Sequence, residues 1–82
     1  MAELIQTYGE AVRDAQGSEY IAHAYGAGRA DGNWEGWLEF HAASGTVLRT
    51  GRETTQPNRE ALRYWASGLE PVYLEGAFAR AS

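Results

Sequence analysis

The chain has 82 residues, the size of one small domain (1–82), and its 44% apolar and 22% charged content excludes intrinsic disorder. It has no cysteine, which excludes a disulfide scaffold and a thiolate zinc site and suits a reducing cytoplasm. A net charge of -4 without a basic stripe disfavours nucleic acid as a partner, and no apolar run approaches the roughly 20 residues of a membrane span.

Residues 1–14 fit two patterns. Leu4, Tyr8 and Val12 have helical spacing, with Gly9 interrupting it. The stretch 1–6 lacks the basic region and apolar core of a signal peptide, so none is expected there. A strand over about 8–14 is preferred, because Asp14–Ser18 reads as a turn and a strand at Glu19–Tyr25 needs a hairpin partner. The segment 26–33 is expected to be a hairpin loop. Its three glycines are not followed by the Gly-Lys-Ser/Thr of a phosphate loop.

Trp34–Ala42 is the expected central strand. Trp34, Gly36, Leu38 and Phe40 share one parity, and Glu35, Trp37, Glu39 and His41 the other, the pattern of one buried and one wet face. After the turn Ala43–Gly45, the β-branched run Thr46–Thr50 is another strand. Thr54, Thr55 and Asn58 are cap-type residues and Pro57 suits a first helical turn, so a helix is expected over 57–67. Its core stripe is Leu62, Trp65, Ala66 and Leu69, broadened by Ala61 and Tyr64, and Gly68 stands at its end. Residues 71–80 fit either a helix starting at Pro71 or a last strand, the helical spacing being the longer. The fold expected is α+β: a three- or four-stranded antiparallel meander with helix 57–67 on the face of Leu38, Phe40 and Leu48, closed by 71–80.

Few residues point to chemistry. His23 and His41 with Glu39 or Glu35 make a formal metal constellation, but Glu39 and His41 share a face to which the sequence gives His23 no fixed register, so no metal and no cofactor are expected. Glu35 and Glu39 are about 13 Å apart along a strand, too far for a concerted acid and base. No serine lies in a nucleophile-elbow pattern, and no catalytic residue is assigned. The wet face of Trp37, Glu35, Glu39 and His41 is the expected interaction face, acidic and centred on an indole, for a protein partner or for self-association. Base stacking on Trp37 and Tyr20 is the competing use, opposed by the repulsion of Glu35 and Glu39 on phosphate.

The strand order from Glu19 to Trp65, the threonines Thr54 and Thr55, and Glu60-Ala61-Leu62 resemble the HicB-like antitoxins. That resemblance implies a degenerate ribonuclease-H-like fold and a role in silencing a partner ribonuclease. The segments 34–40, 52–56 and 69–76 also look like those of a small bacterial protein family.

Overall fold

A computed structural model describes residues 1–82. The elements are β1 (Glu3–Arg13), β2 (Glu19–Gly28), β3 (Trp34–Ala42), β4 (Val47–Arg49), β5 (Thr54–Gln56), α1 (Arg59–Ser67) and α2 (Pro71–Arg80). The sheet is antiparallel in the order β1-β2-β3-β4, and β5 also pairs with β3. The architecture is α+β, with both helices following the meander. No helix is long and apolar enough to cross a membrane.

Turn chemistry sets the meander. Gly17, Gly32 and Gly45 all have positive φ and stand in its three hairpin connections. In the first, Asp14 Oδ1 accepts from the N–H groups of Gln16 and Ser18, so the side chain does the work of a backbone turn. β4 and β5 then occupy the same edge of β3 in succession. The chain between them steps out of the ladder, and the Thr50 hydroxyl replaces a missing carbonyl: Leu38 N–H donates to Thr50 Oγ1 at 3.0 Å, and Thr50 Oγ1–H donates to Gly51 O at 2.7 Å. Thr50 is accordingly a buried polar residue with its needs met.

The helices lie on the face predicted from β3. Leu38 and Phe40 are fully buried, and Leu48 packs against the same core. Ala22 and Ala24 on β2 leave room there for α2, whose Phe78 ring meets Tyr20 and Phe40 at 5.1 Å each. Tyr8 crosses to α1 and donates its hydroxyl to Ala66 O at 2.6 Å; burial pushes that phenol up to about 12. Glu53 accepts from both Tyr73 and Arg80, which fastens the β4–β5 connection to α2.

Helix α1 stands on a pair of glycines. Gly26 of β2 and Gly36 of β3 are cross-strand partners. Neither offers a Cβ, and the Leu62 side chain descends into the flat spot they leave until it is 1% exposed. A Cβ on Gly36 would lie 2.6 Å from Leu62 Cδ1 and 3.1 Å from Thr54 Cγ2, and one on Gly26 would collide with Leu62 Cδ2. Glycine inside a strand is the mark of such close approach.

Several boundaries differ from expectation. β1 begins at Glu3 rather than near Tyr8, because its ladder with β2 starts at Glu3↔Gly26. Irregularities between Leu4 and Gln6 and between Thr7 and Ala11 break the alternation, so period two is not visible in its sequence. β2 extends through Gly28, since Gly26, expected to loop, pairs with Gly36 under Leu62 and Gly28 pairs with Trp34. Residues 54–56 form a strand rather than a helix lead-in, and α1 starts at Arg59 because Asn58 is the N-cap, its Oδ1 accepting from Ala61 N–H at 2.8 Å. Tyr64 does not broaden the core stripe; it is 83% exposed. Residues 71–80 are helical, with Pro71 in the first turn and Arg80 in the last.

Gly36→Ala is expected to destabilise the fold by about 1–3 kcal/mol in denaturant unfolding, because the buried Leu62 cannot move aside freely. In a Leu62→Ala background the same substitution is expected to cost much less, a coupling measurable in the double-mutant cycle.

Candidate interaction face

The helices cover one face of the sheet only. The other face carries the odd-numbered residues of β2 and β3. Cross-strand pairing places Tyr25 opposite Trp37, His23 opposite Glu39, and Ile21 opposite His41; on the far side of β3, Arg49 stands opposite Glu39 and Val47 opposite His41. Glu35, Trp37, Glu39 and His41 therefore share the open face, as their parity requires.

Three of them form one unit. The Trp37 indole N–H donates to Glu39 Oε2 at 3.3 Å, and His41 Nε2–H donates to Glu39 Oε1 at 3.0 Å. Glu39 is thus held by two donors and largely covered. Glu35 is not part of this unit. It accepts from Arg29 at 3.3 Å, at the loop end of the face. The rings pack around the Glu39 bridge. Tyr25 lies nearly parallel to Trp37 and to His41, with centroids 6.4 and 6.5 Å away. The Arg49 guanidinium sits 4.5 Å above the Trp37 ring, a cation–π contact of about 0.5–1 kcal/mol.

The residue pattern leaves open whether the indole is covered or exposed, and the structure decides it: Trp37 is only 5% exposed. No helix and no N-terminal segment covers it. Its own face does: Tyr25 stacks near the ring, Glu39 accepts its N–H and Arg49 lies over it. The exposed apolar residues of this face are its neighbours: Leu4 on β1, Ile21 on β2 and Val47 on β4. Sequence reasoning passed over them, and over Tyr25 and Arg49 as the cover of Trp37. Cross-strand register was the missing information, since each is far from Trp37 in sequence.

The face is also not acidic. Arg13, Arg29 and Arg49 stand against Glu19, Glu35 and Glu39, Arg29 being shared with Asp31 of the adjoining loop. The whole excess of -4 therefore belongs to the edges and the helical side.

The two histidines do meet. Their rings stand edge to face at 4.6 Å, and the Thr7 hydroxyl and His23 Nδ1 are hydrogen-bonded at 3.0 Å. No group of three His, Asp or Glu side chains converges as an ion cage. Partial burial, and then repulsion from His41, hold the His23 imidazole below its usual value, with Glu39 opposing them. No protein-family model, curated protein or solved structure matches this chain.

The pH dependence follows from that direction. The unfolded chain protonates His23 near 6.5 and the folded chain only at lower pH, so between those values the unfolded state holds more protons. The contribution of neutral His23 is complete above about 6.5 and is lost on acidification from there towards the folded value. His23→Gln is expected to flatten the fall in Tm between about pH 7.5 and pH 5.5 relative to the parent, read by thermal melts in matched buffers.

Proposed function

We propose that this chain is a small, non-enzymatic interaction module of the cytoplasm, and that it self-associates through the open face of its sheet. The observation that carries this reading is the charge balance of a face that also exposes apolar side chains. Leu4, Ile21 and Val47 surround the ordered Tyr25–Trp37–His41 stack, and three arginines alternate with three glutamates. A second copy meets such a face without net repulsion, and its arginines find carboxylates across the contact. A strongly basic partner gains nothing from it.

The dimensions suit the role. The molecule measures 41 × 22 × 18 Å, against the roughly 800 Å² per partner of a standard interface. The aromatic stack is rigid before contact, since Glu39 ties Trp37 to His41 and Arg49 caps the indole, so little side-chain entropy is lost on association. Phosphate meets glutamates beside every arginine here, which disfavours a nucleic-acid use of the same rings. Silencing of a basic ribonuclease, as in the HicB-like antitoxins, would need a different surface.

Sedimentation equilibrium over a concentration series tests the reading. The parent is expected to form a dimer, and Ile21→Glu with Val47→Glu is expected to weaken it by at least about tenfold while circular dichroism remains that of the parent. A parent that sediments as a monomer throughout, or a double variant that dimerises equally well, would remove self-association through this face.

A further inference from the structure

One long edge of the sheet is left unpaired. β1 is hydrogen-bonded to β2 alone, and no backbone hydrogen bond from outside the sheet reaches the interior of β1. Beside this edge runs a groove of about 660 Å³, lined by Glu10, Ala11, Val12 and Arg13 of β1 and by Glu75 and Phe78 of α2. It continues past Leu74 and Pro71. Four consecutive residues of one strand line it. A hollow on the face of a sheet is lined by alternate residues, so this groove opens onto the strand's edge and its main chain. The α2 side is equally regular: positions 71, 74, 75 and 78 form one helical face.

The groove has a defined electrostatic character. Neither Glu10 nor Glu75 belongs to any ion pair of the molecule, and the one cation of the lining, Arg13, is already held by Glu19. The irregularity between Thr7 and Ala11 separates the run Ala11–Arg13, beside the groove, from the earlier part of the strand. Such a bulge prevents the edge from pairing along its whole length. A second copy paired antiparallel about Val12 would set Glu10 against Asp14, acid against acid.

We propose that this groove binds an extended segment of a basic protein partner, added as a strand to the β1 edge at Ala11–Arg13. An apolar side chain of that segment enters between Leu74 and Phe78, and flanking Lys or Arg side chains meet Glu10 and Glu75. Main-chain hydrogen bonds to an open edge supply affinity, and the groove selects the side chains. This site is separate from the open face, and its occupancy does not depend on self-association.

The test uses blocked peptides of alternating valine and arginine, their valine–glutamate counterparts, and a valine–arginine peptide N-methylated at alternate positions, titrated into the full chain with amide NMR detection. The valine–arginine peptide is expected to shift the amides of 10–13 and 71–78 saturably. Glu10→Lys with Glu75→Lys, two exposed positions, is expected to weaken it at least about tenfold with an unchanged melting curve. The N-methylated peptide is expected to lose binding to a similar degree, because it cannot complete the ladder. Absence of saturable shifts, equal binding of the glutamate peptide, equal binding of the N-methylated peptide, or shifts confined to the open face would each overturn the proposal.

Discussion

The structure depends on the contact of Leu62 with two glycines. A helix packs on a sheet at a distance set by the side chains between them. Here the sheet offers Gly26 and Gly36 side by side, and α1 fills the dip with one buried leucine. That contact brings Ala66 close enough to accept the Tyr8 hydroxyl, which ties the first strand to the helix. It also positions Trp65 to meet Tyr73 at right angles, and so helps to place α2. A methyl group at either glycine would lift the helix and loosen each of these contacts together.

Placing both helices on one side leaves the other side of the sheet to arrange itself. Side chains there have only their cross-strand neighbours for company, and they use them fully. Glu39 joins an indole to an imidazole, Arg49 covers the indole, and Tyr25 lies along both rings. The outcome is a face that is ordered yet unpartnered. Its charges cancel locally, whereas the acidic excess of the chain lies towards the β1 edge and the helices. The molecule thus has two surfaces of different character, a balanced flat face and an acidic groove, and they suit different partners.

Much of this was legible in the residues. The period-two pattern of Trp34–His41 identified the central strand and its two faces correctly, because a residue's side of a strand is a local property. The turn glycines Gly17, Gly32 and Gly45 mark the hairpins for the same reason: positive φ is a demand of the turn itself. The stripe Leu62, Trp65, Ala66 and Leu69 announced the first helix, whereas 71–80 fitted helix or strand until the structure showed a helix. The bulged start of β1 was not legible, since an irregular ladder erases the alternation by which strands are read.

What the sequence determined by itself is the central strand with its two faces, the turns and the core stripe of α1, because these follow from φ, ψ and spacing along a single segment. What only the tertiary structure decided is which side chains meet. Gly26 could be known as the partner of Gly36, or Tyr25 and Arg49 as the cover of Trp37, only once register was set between strands. The burial of Trp37 without a helix above it, and the neutrality of a face read as acidic, both come from arginines and rings contributed by other strands. Such contacts are non-local, and no pattern within one segment encodes them.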